Sequence, residues 1–568
     1  MTNIAFHSTH WLQNAASLAM SSLLARLDLS LGARPYFWID IRQSPPQASH
    51  SYWDGVDIAG RFVDGLILAR QMTGRSDGVE AEAQLRGYLW SQQDAQDGLF
   101  YNWEDEALSG GEMSKYIPNA GVLTRPRHVD LFCQRGPLLA LCTLLAAGDE
   151  TVLPRWQRTI QGLWKLTERT APDELRLPTY RWAPILKPEW TMGANVPEKW
   201  LGYRYALLTG LARGAELVND SATTELALGL ARWYMRHGDV PADGHYAANT
   251  HSGGILPTAV GIARLGIHTG DAEMIAWAQR VYEWTRANTP DFGFLRDGLG
   301  LDGFFAGTCE TCGLADLVHL ALALTQTGVG DYWDDIERIA RNQLIENQYR
   351  EEATLRQLYP SIDESVLAMM HGGFECAAFP NRLLAYSGIE ACCIGGGLRA
   401  LYHAWRGAIS EKGDTTTINL GFSRNTEHVE VVGHEPWQGR IDVRLRTPRR
   451  LAIRVPSHVE LAATNFTVDG QPVTPTWVSR TAQLGQFAAG QTVTLTYPLQ
   501  ERQASYEIAG NHYTGWWRGA TLLEIQPPGE GYPIYQRRPL LSDERYNLTK
   551  AALEPSPSGL PQPRMPLW

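Results

Sequence analysis

Apolar residues recur at three- and four-residue steps from about residue 10 to residue 412. The pattern is clear in "DGVDIAGRFVDGLILARQMTG" (54–74), "RGPLLALCTLLAAGD" (135–149), "YRYALLTGLARGAELVND" (203–220) and "GGILPTAVGIARLGIHTGD" (253–271). It continues in "AEMIAWAQRVYEWTRA" (272–287), "GLADLVHLALALTQTG" (313–328) and "GLRALYHAWRGAIS" (397–410). This spacing predicts helices, and several segments close on a Gly-Asp or Asn-Asp stop. Some are apolar nearly all round, which suits the inner helices of a double-layered barrel better than a simple bundle. Near residue 416 the period falls to two. "IDVRLRTPRRLAIRVPS" (441–457), "NFTVDGQPV" and "QTVTLTYPL" alternate like strands, with Asp469-Gly470 as a hairpin turn. The predicted fold class is multidomain and mainly α: an (α/α)6 helical barrel over 1–415, then an antiparallel β-sandwich over 416–505. A proline-rich mixed segment, 506–568, is expected to pack back on both.

Length and charge narrow the partners. A chain of 568 residues exceeds a single core. Its formal net charge of −11 disfavours nucleic acid and anionic membranes, and no apolar run is long enough to span a bilayer. The N-terminus lacks the basic start and apolar core of a signal peptide, and seven thinly spread cysteines make no disulfide framework. A reducing cytoplasm is the expected location. The 20 Trp and 22 Tyr suit carbohydrate surfaces, where a ring meets C–H faces and its polar handle meets hydroxyls, and equally suit a large helical core.

The chemistry gathers around "YSGIEACCIGGGL" (386–398) and "FFAGTCETCGLADLVHLALAL" (304–324). Adjacent cysteines rarely bridge each other, because the small ring is strained. Cys392 and Cys393 therefore read as inert core thiols, a distorted redox pair, or two ligands of one metal. Glu310 and Cys312, eighty residues earlier, can complete a tetrahedral set. A four-cysteine structural zinc site that includes Cys309 fits residue types equally well. Both pairs precede helices, whose positive N-terminal ends favour thiolate, and Gly395-Gly396-Gly397 let the backbone pass close to a ligand.

"ETC" entering a helix, a gap of about eighty, then "CC" before another helix resembles glycoside hydrolase family 127, whose members include β-L-arabinofuranosidases. "YWDGVDIAGRFVDGL" (52–66), "GYLWSQQDAQDGLFYNW" (87–103), the spacing from His251 to Gly270-Asp271, and "PWQGRIDVRLRTPRRLAIRVPS" are similar to family segments in the same order. The resemblance implies Zn2+ held by Glu310, Cys312, Cys392 and Cys393. It implies Cys392 as the nucleophile of a retaining glycosidase acting on a small glycoside or oligosaccharide. The family's acid/base glutamate falls at Phe294 here, within a shortened loop, so Asp297, Asp302 and Glu375 are the candidates for that role. His128 is offset from a family histidine, and "CCIGGG" stands where the family has "CCPPN". His251, His371, Trp53 and Asp54 are candidate substrate contacts, and a homodimer is kept open. Two other classes fit the same residues: a zinc-dependent lyase or isomerase on a sugar acid, and a non-catalytic glycan-binding barrel with structural zinc.

Overall fold

The computed structural model describes residues 10–50, 54–102, 129–177, 181–182, 201–245, 251–298 and 307–542. Six inner helices form a closed ring, each packed on the next and the last on the first. They are α2 (Gly55–Thr73), α4 (Arg135–Ala146), α6 (Leu208–Val218), α8 (Ser252–Thr269), α10 (Thr311–Thr327) and α12 (Cys392–Gly407). Six outer helices alternate with them along the chain: α1 (Trp11–Ala25), α3 (Val79–Ser91), α5 (Leu153–Leu166), α7 (Ser221–His237), α9 (Ala272–Ala287) and α11 (Trp333–Ile339). This is the expected (α/α)6 barrel, with the double layer that the periodicity predicts.

The two layers differ as burial requires. α10 is buried on every face from Thr311 to Thr325, and α8 from Ser252 to Gly266. Outer helix α5 buries only Trp156, Thr159, Ile160, Gly162 and Leu163, a single stripe. The inner helices run parallel. Asp57 and Asp64 of α2 meet Gly136 and Thr143 of α4, and Gly65 faces Leu398 while Gly407 faces Leu322. All six N-termini therefore open on one mouth of the barrel.

Glycines set how closely the inner helices approach. A Cβ at Gly60 would lie 2.1 Å from the Gly136 carbonyl carbon, so α2 and α4 touch backbone to backbone. The barrel axis below the mouth is charged rather than apolar. Arg61–Asp57, Arg399–Asp64 and Arg135–Asp316 are buried ion pairs at 2.7, 2.5 and 2.7 Å. Buried charges persist only when paired in this way.

The β-sandwich has its own apolar core, built on Val431, Ile441, Val443, Leu451, Ile453, Val493 and Leu495 among others. A five-stranded sheet packs over a six-stranded one. Asp469 and Gly470 both take positive φ in the tight turn between paired Val468 and Gln471. Two details differ from the sequence reading. The first sandwich strand, Ile409–Lys412, starts before residue 416, because the helix it follows ends at Gly407. Strands Thr415–Ile418 and Arg449–Arg454 pair in parallel within the otherwise antiparallel sheets. Beyond the sandwich, strands Glu501–Ile508, Asn511–Arg518 and Thr521–Gln526 form a third sheet. Its Ile508, Tyr513, Trp517 and Leu522 join the barrel's apolar core. Tyr532–Pro533 pairs with Arg382–Leu383 of the barrel.

Candidate metal centre

Two inner helices deliver the polar cluster at the mouth. Glu310 is the N-cap of α10, Cys312 lies in its first turn, and Cys392 and Cys393 open α12. The approach to α12 is held by strand Gly388–Glu390, which pairs with Arg34–Asp40 so that Trp38 faces Glu390. Ala391 N–H then donates to Phe37 O at 2.8 Å, fixing where the cysteine pair begins. The three glycines that follow serve helix packing: Gly396 sits on Cys312, Gly395 on Arg61 and Gly397 on Phe374.

Cys312 Sγ lies 3.7 Å from Cys393 Sγ, which lies 3.8 Å from Cys392 Sγ and 3.9 Å from Glu310 Oε1. All four donor atoms fall within 4.8 Å of one another. A tetrahedral zinc with Zn–S bonds of about 2.3 Å separates its sulfurs by about 3.8 Å. The Cys312–Cys393 and Cys392–Cys393 separations match that value. Cys309 stays outside this set: its backbone bridges Ala378 and its Sγ accepts from Asn347 Nδ2 at 3.9 Å.

The electrostatics agree with a cation site. Hydrogen bonds from Cys392 and Cys393, together with Arg61 and Arg135, hold the Cys312 thiol well below its ordinary range. Hydrogen bonding to Cys312 pushes Cys392 up, burial pushes Cys393 up, and burial and the Cys312 charge push Glu310 up. Four acids in a nearly dry corner cannot all ionise unaided, and a divalent cation removes that conflict. The donor set therefore fits a metal, and three thiolates with one carboxylate suit zinc.

Other expected site residues divide between the mouth and elsewhere. His251 is the N-cap of α8. Its Nδ1 accepts from Gly253 N–H at 3.1 Å, and its Nε2 lies 2.6 Å from Asp297 Oδ1 and 3.1 Å from Glu310 Oε2. His251, Asp297 and Glu310 are close enough to form a second cation group. The tautomer opposes it: an Nδ1 that accepts leaves the proton on Nε2, the atom that faces both carboxylates. His251 thus ties the Glu310 carboxylate to Asp297, which is 2% exposed. Asp54, the N-cap of α2, stands at the same mouth and accepts from Cys133 Sγ at 3.4 Å. Phe294 is fully buried. Trp53, His128 and Asp302 lie outside the described residues.

Two expected site residues are bonded elsewhere. Glu375 is fully buried and its two oxygens accept from five groups, one of them the Cys376 thiol at 3.4 Å from Oε1. Cys376 N–H and Ala377 N–H bond Oε1 at 2.9 and 3.0 Å, Leu384 N–H bonds Oε2 at 2.8 Å, and the Tyr349 hydroxyl also bonds Oε2. It shapes the loop before the cysteine pair. His371 caps the end of helix Glu364–Met370, with Nε2 3.3 Å from Arg350 O and Nδ1 3.7 Å from Glu352.

The sequence reading missed Glu390. Its Oε2 lies 3.5 Å from Cys392 Sγ, and burial pushes its carboxyl up to about 7. The signal was a lone carboxylate inside the apolar stretch that leads into the cysteine pair.

Comparison places this architecture among known folds. No family model matches the chain, and no curated protein matches it. Solved structures do. A GH127 β-L-arabinofuranosidase from Geobacillus stearothermophilus T6 superposes with a TM-score of 0.57 and 13% identity, covering 84% of this chain and 78% of that one. A second GH127 β-arabinofuranosidase gives 0.55 and 13%, over 91% and 81%. A structure described as a glycoside hydrolase gives 0.55 and 13%, over 82% and 77%. The chain has the fold of these proteins, a helical barrel followed by β-sheets, as the resemblance in its motifs implies.

Proposed function

We propose that the protein is a retaining glycoside hydrolase whose nucleophile is Cys392, held with Glu310, Cys312 and Cys393 around one zinc ion. The substrate class is a small glycoside or oligosaccharide of the β-L-arabinofuranoside type. The observation that carries this reading is the convergence of those four donors, at metal spacing, on the barrel mouth. The shared fold with GH127 structures supports it.

A bound zinc would keep the cysteine ligands ionised at neutral pH. Cys392 is the less buried member of its pair: Cys393 is fully buried, whereas Cys392 is half-buried. In the first step Cys392 Sγ attacks the anomeric carbon as the glycosidic C–O bond breaks, and the departing oxygen takes a proton from a carboxylic acid. In the second, water attacks the same carbon, the C–S bond breaks, and the carboxylate recovers a proton from that water. The product keeps the substrate's anomeric configuration. Two described carboxyl groups stand close enough to be tested as that acid: Glu390 beside Cys392 Sγ, and Asp297 behind His251. His251 and Asp54 are proposed to line the sugar site at the rim.

The test is hydrolysis of aryl arabinofuranosides followed by NMR of the first-formed anomer. Retention is expected, with Cys392→Ser lowering turnover more than about a thousandfold in a protein of unchanged fold. An unsaturated or isomerised product, or full activity in Cys392→Ser, would replace this reading with the lyase or isomerase one.

A further inference from the structure

A divalent cation bound by three thiolates and one carboxylate leaves a net charge of minus two in a buried corner. Such a centre needs a cation nearby, above all on its Cys312 side, which faces away from solvent. Behind Cys312 the free space is a cavity of about 10 Å³ lined by Arg61, Arg135, Arg399 and Gly396 among others, room for no more than one water. Compensation must come from protein groups.

Arg61 occupies the required position. It projects from α2 with its Nη1 donating to Cys312 Sγ at 3.4 Å. Its Nε sits 2.7 Å from Asp57 one turn earlier, and Asp57 is itself fixed by Gly136 N–H at 2.9 Å. The guanidinium lies 5.6 Å from the centre of the Phe132 ring. Gly395 lets α12 close on it, since a Cβ there would lie 2.9 Å from Arg61 Cβ. The two other sulfurs are treated differently. Cys392 faces the carboxylate of Glu390, and Cys393 Sγ meets the other ligands.

We infer that Arg61, clamped by Asp57, is a positioning residue of the metal centre: it neutralises charge at Cys312 and holds that sulfur as a spectator ligand, leaving Cys392 as the sulfur free to react. The inference rests on the metal site proposed above. Hydrogen bonding to a metal-bound thiolate lowers the energy of its sulfur lone pairs, so it damps nucleophilicity at the sulfur that receives it. Groups around a metal's ligands of this kind are worth about ten- to a hundredfold in metal affinity.

The test uses the full chain loaded with cobalt(II). It reads the sulfur-to-cobalt charge-transfer bands and the affinity by chelator competition. Arg61→Gln is expected to move a charge-transfer band to lower energy and weaken binding about ten- to a hundredfold. Arg61→Lys is expected to recover part of both, because lysine restores the charge without the planar fork. Asp57→Asn removes the opposing charge while keeping an acceptor for Gly136, so it is expected to move the band to higher energy and leave affinity equal or tighter. A merely structural ion pair would make the two variants fail in the same direction, and that result would overturn the inference. Should Arg61→Gln not fold, Asp57→Asn/Arg61→Gln leaves no bare charge. It is expected to keep the low-energy band, and a wild-type spectrum and affinity there would overturn the inference. A wild-type chain without cobalt–thiolate bands would overturn the metal site and this inference together. Wild-type bands unchanged in every variant would overturn this inference alone.

Discussion

Replacing Gly396 by alanine would put a methyl carbon 3.2 Å from Cys312 Sγ and 3.3 Å from Cys312 Cα. Both contacts are tighter than the 3.5–4.0 Å of ordinary carbon packing. The sulfur can rotate, but the Cα belongs to the first turn of α10 and moves only with its helix. Relief therefore requires α10 and α12 to part by a few tenths of an ångström. That displacement falls directly on the 3.7 Å spacing between Cys312 and Cys393. Overpacking of this kind costs about 1–3 kcal/mol, against a helix-propensity gain of up to about 1 kcal/mol for Gly→Ala. If metal affinity falls about thirtyfold, a further stabilisation of about 2 kcal/mol is lost at metal concentrations far above Kd. The assay is denaturant unfolding with and without added zinc, with chelator competition for affinity. Gly87→Ala is the control, since nothing lies within 4 Å of the added carbon, and it is expected to be neutral or slightly stabilising. A Gly396→Ala protein that is as stable as wild type and binds metal equally would refute the helix spacing as a determinant of the site.

Further expectations follow from other parts of the fold. Glu375→Gln places an amide N–H₂ against groups that donate to the native carboxylate, so it should destabilise by about 2–4 kcal/mol in urea unfolding, with lost activity tracking lost fold. Between sandwich and barrel, burial alone would raise Glu435, but His458, Arg341 and the Ala520 N–H outweigh it and hold the carboxyl at about 2. The folded value is depressed, so its stabilisation is full above the ordinary value of 4.5 and is lost as pH falls towards 2. The loss reaches up to about 3 kcal/mol, and Glu435→Gln should flatten stability over that window. Asp297→Asn should leave metal content unchanged while lowering turnover, because it releases His251 without touching a ligand. Loss of the metal in that variant would count against the tautomer assigned to His251.

The barrel was legible because burial on all sides writes itself into sequence: α8 and α10 are apolar nearly throughout, whereas outer helices such as α5 and α9 carry charges between their apolar positions. The clustering of Glu310, Cys312, Cys392 and Cys393 was legible for a second reason, the rarity of adjacent cysteines and their placement at helix starts. What escaped was charge inside apolar helices. Asp57, Arg61 and Asp64 fall three and four residues apart on α2, and only the closed ring shows that this face points to the axis rather than to solvent. The bonding of Glu375 was not legible, because backbone donors from residues 376, 377 and 384 leave no mark in sequence. Glu390 was overlooked beside the more conspicuous cysteines. The sandwich boundary slipped because a single short strand, Ile409–Lys412, carries little alternation of its own.

The most direct measurement is the zinc content of the chain, purified under reducing conditions without added metal and read by native mass spectrometry. One zinc per chain is expected, retained in Cys309→Ser and lost in Cys393→Ser. A chain without zinc, or one whose zinc survives loss of Cys393, would contradict the Glu310/Cys312/Cys392/Cys393 centre and the Cys392 chemistry built on it.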